Sequence, residues 1–434
     1  MVYYYLLHIL ILGGIAYGLH WGERDRLLKP FLLPALLIRM GCGVLVGWLY
    51  QFYFSQGDTS AFHTDSLIIS AWGHRDPSGY LSLLFFDQAM TGVPALQYNF
   101  WIHSNSFFLV KVLSLLNFAT GGDYYLNGLY LSLFSFTGSW RLVKALSLVY
   151  PASRLAAVFA FLFLPSAVFW SSGVLKESIL MGAMGWLVSA VLFMTHKGPL
   201  RAWYEVPIVL FAGYLLWRIK FFVAAVLLPV LGAYLVGQLL ARQVRQFQAG
   251  RVKAFLFAIV LGLVGLLALQ SHLFFRAGGT FFLEQVVYNY EHMLRQTSPD
   301  RPVIRFEALQ PTPESLLQNA PRALGSALYR PFFWETTDPA YVLAAVENLL
   351  LLVLTGFALL GLLERKPSRL DLFFLGLLLY ILVVGIMTGL TTPNFGTLNR
   401  YRIAFLPFLV FLLLQGGLLY RILARAAGYP VKSP

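Results

Sequence analysis

The sequence is poor in charged residues and has a single cysteine, and each scarcity excludes a class of protein. Charged residues make up 12% of the 434-residue chain, hydrophobic residues make up 58%, and the mean hydropathy is +0.69. A water-soluble protein of ordinary composition carries about 25% charged residues. Cys42 is the only cysteine, so no intramolecular disulfide bond can form. The composition therefore indicates a membrane-embedded protein.

Several motifs of well-known enzyme classes are also missing. The chain has no Walker phosphate-binding loop, no H-E-x-x-H zinc motif, no C-x-x-C pair and no G-x-S-x-G nucleophile turn. ATP-driven transport, zinc proteolysis and serine hydrolase chemistry therefore have no support in the sequence. The formal charge of +13 does not indicate nucleic-acid binding, because Lys and Arg cluster in short connections between apolar runs, as the positive-inside rule expects.

What the sequence has instead is a series of apolar runs, most of them close to the roughly 20 residues that a helix needs to cross a bilayer. We predict an all-α, polytopic integral membrane protein with about eleven spans and one domain over residues 1–434. The spans are 3–20, 31–54, 123–140, 155–172, 176–195, 205–217, 221–241, 254–270, 342–362, 371–389 and 403–420. The first lacks a basic amino-terminal region and a clear cleavage site, which favours a retained helix over a signal peptide.

Two connections are much longer than the others, and both lie outside when the basic connections are placed in the cytoplasm. They cover residues 55–121 and 271–341. The segments "LSLLFFDQAM", "SFFLVKVLSLLNF" and "FFLEQVVYNYEHMLRQ" within them have apolar residues at helical spacing. We predict helices that lie on or dip into the outer membrane surface and roof a cavity open to lipid and to the outside.

The stretch "GDTSAFHTD" at the start of the first long connection carries two carboxylates. If a helix begins at Gly57 or Asp58, Asp58 and Asp65 share one face, because seven residues make nearly two turns. Such a pair suits a general base for an acceptor hydroxyl, or a Mg or Mn site that also uses His63. The alternative is that Asp58 caps the helix and Asp65 is a solvated surface residue.

A second candidate segment, "FLPSAVFWSSGVLKESIL", contains a helix-ending Pro165 and a small polar turn. Lys176 and Glu177 then open the next span, which places them near the rim of the same outer cavity. The alternative is an interfacial anchor with Trp170 in the aromatic belt.

Basic residues on the outer side, against the positive-inside trend, form the third candidate set. Arg218 and Lys220 follow the short span 205–217 in a tight hairpin, and Arg400 and Arg402 lie at the outer mouth of the last span. A charge at membrane depth is costly and by default faces a cavity or a partner. We predict that these residues clamp a phosphate or diphosphate, with headgroup contacts by snorkelling side chains as the alternative.

The end of the second long connection holds further charged residues around a turn of proline and aromatic side chains. Arg330 and Glu335 flank this turn, and Glu347 follows in an otherwise apolar helix. Because an ionised carboxylate is expensive inside a membrane, Glu347 needs a partner.

With these residues in place, the chain resembles the GT-C superfamily of polyprenyl-phosphate-dependent glycosyltransferases. The resemblance rests on acidic residues after an early span in "GDTSAFHTD", a proline-ended helix with an acidic restart in "PSAVFWSSGVLKES", and "NRYRIAFLPFL" at the last span. In that superfamily the catalytic loop usually follows the first span. Here it follows the second, so an extra amino-terminal helix has to be assumed.

The resemblance implies transfer of a sugar from a polyprenyl-phosphate donor to a hydroxyl group of a glycan, lipid or protein acceptor, with inversion. The site would face the periplasm from a bacterial inner membrane, and a divalent metal is optional. The catalytic candidates are Asp58, Asp65 and Glu177. The substrate-binding candidates are His63, Lys176, Arg218, Lys220, Arg330, Glu335, Arg400 and Arg402.

Two alternatives remain open. An O-antigen polymerase or ligase acting on lipid-diphosphate glycans would depend on the outer arginines more than on the aspartates. A lipid flippase or transporter would show inverted repeats and broken helices near the midplane. No convincing repeat relates the two halves of the sequence, and the short span 205–217 is the one feature that favours a transporter.

Overall fold

The computed structural model describes residues 2–53, 57–88, 96–98, 100–196, 199–243, 257–259, 261–262, 281–299, 301–363 and 371–415. Within these ranges the chain is helical almost throughout, and the β-structure is limited to one isolated bridge between Val303 and Asn394. The prediction of an all-α protein is confirmed for this part of the chain.

The helices fall into an earlier and a later series. The earlier helices are α1 (Val2–Gly22), α2 (Lys29–Trp48), α3 (Asp58–Arg75), α4 (Pro77–Phe86), α5 (Asn105–Thr120), α6 (Tyr124–Val149), α7 (Arg154–Val158), α8 (Pro165–Trp170), α9 (Lys176–His196), α10 (Pro199–Ile219) and α11 (Phe221–Gln243). The later helices are α12 (Phe281–Gln296), α13 (Pro313–Tyr329), α14 (Pro339–Leu363), α15 (Leu372–Thr391), α16 (Phe395–Tyr401) and α17 (Leu406–Leu413).

Six helical stretches of the described chain are long and apolar enough to cross a membrane. They are Tyr3–Gly22, Lys29–Tyr53, Lys176–His196, Phe221–Leu240, Tyr341–Gly361 and Leu372–Thr391. Each coincides with a predicted span, so six of the eleven predictions are supported. The architecture is consistent with an α-helical membrane protein.

The other five predicted spans do not add a further candidate in the described residues. Span 123–140 lies inside α6, which buries polar side chains such as Asn127, Ser132 and Ser135. Span 155–172 is divided into α7, a π-helical turn at Phe159–Phe163 and α8. The division falls before Pro165, because proline has no N–H to donate and its ring clashes with the preceding turn.

Of the remaining three predicted spans, one lies within a longer helix and two are only partly described. Span 205–217 belongs to α10, which has 21 residues, so the expectation of an unusually short helix is wrong. Its Pro207 lies in the amino-terminal half, and the helix continues through it. Spans 254–270 and 403–420 lie partly outside the described residues.

The chain divides into two compact units that interleave along the sequence. The first unit comprises Met1–Lys144, Ala167–Ser189 and Pro207–Phe221, and the second comprises Ala145–Ser166, Ala190–Val206 and Phe222–Pro434. The expectation of a single integral domain stays a prediction.

In the first unit, the first long connection folds into α3, α4 and α5, and α3 packs against both of the others. A polar cluster joins α3 to α5, since Asn117 donates to the hydroxyl oxygens of Ser66 at 3.0 Å and Ser70 at 3.3 Å. The prediction of helices in this connection is confirmed, and these helices carry the first candidate residues.

In the second unit, α12 and α13 of the second long connection pack against α15. The backbones of α13 and α15 approach so closely that a side chain at Gly389 would overlap the carbonyl group of Ala323. The segment "FFLEQVVYNYEHMLRQ" coincides with α12. The helical prediction for this connection is therefore also confirmed.

Candidate functional site

The predicted pair of aspartates lies on α3. This helix begins at Asp58, which is one of the two starting positions predicted for it. Asp58 is exposed in the first turn of the helix, whereas Asp65 is completely buried two turns later. The cap position is taken by Gly57 without a side-chain hydrogen bond, so Asp58 is not the cap. The alternative interpretation, a capping Asp58 with a solvated Asp65, is therefore wrong for both residues.

Asp65 accepts hydrogen bonds from two consecutive backbone N–H groups. Its Oδ1 atom lies 2.9 Å from the nitrogen of Gln97 and 3.3 Å from the nitrogen of Tyr98. Its Oδ2 atom is buried and has no hydrogen-bond partner among the described residues. Burial raises the pKa of Asp65, and the two N–H groups oppose that change only in part.

His63 lies between the two aspartates in sequence and is half-buried. Its ring meets that of Tyr124 edge-on, with 5.3 Å between the ring centres. Burial lowers the pKa of His63, and the charge of Asp123 offsets this effect only partly. The neutral imidazole is therefore favoured near pH 7.

Lys176 joins four segments of the first unit. Its ammonium group lies 5.4 Å from the centre of the Phe62 ring on α3, and it donates to Asn105 Oδ1 at 3.3 Å and Ser106 Oγ at 3.2 Å. The amide of Asn105 in turn donates to the carbonyl oxygen of Ile219 at 3.2 Å. The face of α3 between the aspartates, the start of α5, the start of α9 and the end of α10 thus meet at one junction.

Glu177 and Lys220 form a buried ion pair at the same junction. The side-chain nitrogen of Lys220 lies 3.4 Å from Oε1 of Glu177, and both residues are almost completely buried. Glu177 occupies the first turn of α9, where the helix dipole favours a negative charge. Lys220 is the single residue that separates α10 from α11.

Arg218, two residues before Lys220, pairs with a carboxylate that was not among the predicted site residues. Its two terminal nitrogens donate to Asp87 at 2.6 Å and 3.2 Å, which makes a bidentate pair. The buried Lys111 donates to the same carboxylate and to the carbonyl oxygen of Leu83. His103, more than half exposed, lies 3.7 Å from Asp87.

Asp87 ends α4 in the left-handed backbone conformation, with φ at 53°. Burial alone would raise the pKa of Asp87, but the hydrogen bonds and charges of Arg218 and Lys111 outweigh it and lower the pKa to about 2. The carboxylate is therefore ionised at any physiological pH. Lys111 and Arg218 carry two positive charges and Asp87 carries one negative charge, so these three side chains have a net charge of +1.

In the second unit, Arg330 and Glu335 close the aromatic turn between α13 and α14. The Nε atom of Arg330 donates to Glu335 at 2.8 Å and 3.1 Å, and the backbone N–H of Phe332 donates to the same carboxylate at 2.8 Å. The ring of Trp334 stacks on that of Phe332 at 4.7 Å and is 67% exposed. These contacts make a closed turn that presents aromatic rings outward.

Glu347 has the charged partner that we predicted for it, and this partner is Arg402. Oε1 of Glu347 lies 3.5 Å from a terminal nitrogen of Arg402, whose side chain is completely buried. The carboxylate also accepts from the backbone N–H of Ser166 at 2.9 Å and from its hydroxyl group at 2.5 Å. Arg402 donates in addition to Asn348. Arg400 is buried nearby in sequence, with its guanidinium group 5.4 Å from the Tyr401 ring.

The predicted residues are divided between the two units. Asp58, His63, Asp65, Lys176, Glu177, Arg218 and Lys220 belong to the first unit, and Arg330, Glu335, Arg400 and Arg402 belong to the second. Within the described ranges, no group of three or more His, Cys, Asp and Glu side chains could hold a metal ion. The optional metal at Asp58 and Asp65 is left untested.

Asp87, Lys111 and Asn105 are the site residues that sequence reasoning missed. A signal for one of them was present, because Lys111 is the lone charge in "SFFLVKVLSLLNF" and a lone buried charge needs a partner.

No protein-family model matches the chain, and no curated protein and no solved structure was found to be similar to it.

Proposed function

We propose that the protein is a membrane glycosyltransferase that moves a sugar from a polyprenyl-phosphate carrier to an acceptor hydroxyl group. The observation that carries the proposal is the junction at Lys176. There α3, which carries the exposed Asp58, meets Lys176, and the cations Lys111, Arg218 and Lys220 belong to other segments of the same compact unit. A transferase of this kind needs both groups, a base for the acceptor and positive charge for the departing phosphate.

In the proposed reaction, the acceptor oxygen attacks the anomeric carbon, and the bond from that carbon to the phosphate oxygen breaks. Asp58 takes the proton of the hydroxyl group, and the polyprenyl phosphate departs with the bonding electron pair. Asp58 is suited to this role because it is exposed at the start of α3. A carboxylate beside the sugar also favours the oxocarbenium-like transition state.

Positive charge for the departing phosphate would come from Lys176 and from Arg218 with its neighbour Lys111. Lys176 is the most direct candidate, because Phe62 below it lies on the same face of α3 as Asp58. Arg218 and Lys111 exceed the charge of Asp87 by one. Such fixed charges stabilise a developing anion without reorganisation during the reaction.

The position of the site on the outer face of a bacterial inner membrane belongs to the same proposal. It rests on the clustering of Lys and Arg in the short connections, which the positive-inside rule assigns to the cytoplasm.

The test uses the purified full chain in lipid vesicles with a panel of polyprenyl-phosphate hexoses, pentoses and N-acetylhexosamines. Release of polyprenyl phosphate is measured for the wild type and for Asp58→Asn. We expect the variant to lose about 100- to 10,000-fold in kcat, which is the usual contribution of a general base. Glu291→Gln, at an exposed acid paired with Arg295 on α12, is the matched control and should keep full activity.

Three outcomes would contradict the proposal. Full activity of Asp58→Asn removes that residue from the mechanism. Turnover of lipid-diphosphate glycans alone, lost in Arg400→Ala but kept in Asp58→Asn, identifies a polymerase or ligase. Movement of the labelled lipid across the vesicle membrane with its sugar still attached identifies a flippase.

A further inference from the structure

Asp65 shares a face of α3 with Asp58, but Asp58 is exposed to solvent and Asp65 is enclosed by other parts of the protein. The Asp65 side chain has no exposed surface, and one of its oxygens is already occupied by the N–H groups of Gln97 and Tyr98. A general base has to come within hydrogen-bond reach of the proton that it removes. The completely buried Asp65 offers no such approach in this arrangement.

The two N–H groups belong to residues that closely precede Phe100, whose ring contacts α3. The ring of Phe100 lies 5.3 Å from that of Phe62 and 6.3 Å from that of Tyr98, with which it stacks. Phe62 is also the ring below the ammonium group of Lys176. The hydrogen bonds of Asp65 therefore fix aromatic side chains beside the candidate site.

Tyr98 and Trp101 present aromatic surface outward. Trp101 is 71% exposed and Tyr98 is 41% exposed. Large aromatic rings offer a broad face with a negative potential, which attracts polarised C–H groups such as those on a sugar ring. Tyr98 and Trp101 therefore form an aromatic surface that could contact a sugar, provided that something holds their backbone in place.

We propose that Asp65 is a positioning residue, which holds the backbone of Gln97 and Tyr98 against α3 so that Tyr98 and Trp101 bind the sugar substrate. The proposal rests on the proposed transferase function for the sugar, but the holding role stands on the hydrogen bonds alone. It assigns different tasks to the two aspartates. Asp58 exchanges a proton with the acceptor, and Asp65 orders a binding surface.

The contrast between Asp65→Asn and Asp65→Ala tests the proposal sharply. An asparagine keeps Oδ1 as the acceptor for both N–H groups, and its amide nitrogen replaces an oxygen that has no hydrogen-bond partner in the described chain. Alanine removes both hydrogen bonds. Because these amides lose their hydrogen bonds, the amides of Gln97 and Tyr98 should exchange their hydrogens about 5- to 30-fold faster in Asp65→Ala.

Hydrogen exchange by mass spectrometry over residues 96–104 is the first measurement, and α15 serves as the internal control for folding. We expect Asp65→Asn to keep the protection of the wild type and Asp65→Ala to lose it while α15 stays protected. Equal protection of the segment in all three proteins would overturn the holding role, whether or not any transferase activity exists.

Steady-state kinetics on the donor sugar is the second measurement. Asp65→Asn should keep kcat and KM within about threefold of the wild type, whereas Asp58→Asn loses kcat. Asp65→Ala should raise KM more than it lowers kcat. If Asp65→Asn loses kcat as severely as Asp58→Asn while the segment stays protected, Asp65 is a base and the proposal fails. That comparison needs only the isosteric variant, so it is unaffected by any misfolding of Asp65→Ala.

Discussion

Asp87→Asn should destabilise the protein strongly, because it removes the only anion that the described structure places against Lys111 and Arg218. Lys111 is almost completely buried, and the side chains of Arg218 and Asp87 are 19% and 15% exposed. Removal of one partner from a buried ion pair costs about 3 to 5 kcal/mol. The partial exposure of this pair favours the lower end, so we expect a loss of about 3 kcal/mol at pH 7.

The pKa of Asp87 gives a second route to the magnitude. A fall from the ordinary value of 3.8 to about 2 in the folded protein corresponds to about 2.5 kcal/mol. A carboxyl group with a depressed folded-state pKa contributes stability above its unfolded pKa and loses it as pH falls through the folded pKa. The advantage of the wild type over Asp87→Asn should therefore be complete above pH 5 and should shrink between pH 4 and pH 2.

Reversible unfolding in mixed detergent micelles, followed by circular dichroism, measures the two free energies of unfolding. The double variant Asp87→Asn/Lys111→Met should recover more than 1 kcal/mol of the loss, because it also removes the buried ammonium group. Glu291→Gln, at an exposed ion pair, should change the free energy by less than about 0.5 kcal/mol. A loss below 0.5 kcal/mol for Asp87→Asn, or a loss that does not vary with pH, would refute the reasoning.

Two further predictions concern the second unit. Gly389→Ala should lower the free energy of unfolding by about 1 to 3 kcal/mol, since its Cβ would overlap the Ala323 carbonyl group and push α13 away from α15; Gly356→Ala, with open space around it, is the control. Glu347→Gln should cost about 3 kcal/mol, because the buried Arg402 loses its counter-charge. Thermal unfolding in detergent measures both, and wild-type stability in either variant would contradict the corresponding packing or pairing.

The sequence predicted helices well wherever apolar periodicity was continuous. The segment with helical spacing in the second long connection coincides with α12 at both ends, and α3 begins at one of the two positions expected for it. Periodicity is a local property, so it can be read without knowledge of the tertiary structure. It failed at span 155–172, where a proline and a π-helical turn divide a run that is mostly apolar.

The candidate site was predictable only in part, because its pairings join distant segments. The apolar neighbours of Glu347 predicted that its carboxylate has a partner, but only the fold could identify Arg402 as that partner. Arg218 was expected to hold a lipid phosphate, and it holds Asp87 in the structure. Asp87 looked like an ordinary polar residue at the end of a helix, because nothing local distinguishes a solvated aspartate from one that two distant cations surround.

The amino-terminal helix α1 has a consequence for the order in which the protein assembles. Only 6% of its candidate span is buried by the rest of the chain, and its hydrogen bonds to α5, α6 and the turn between them come from Tyr4, Tyr5 and His8 near one end. In a bilayer, the helix would therefore owe its stability mainly to lipid and not to its neighbours. Because α1 precedes α5 and α6 in the chain, it can insert into the bilayer before they are synthesised, and the hydrogen bonds of its three aromatic side chains form once those helices have inserted.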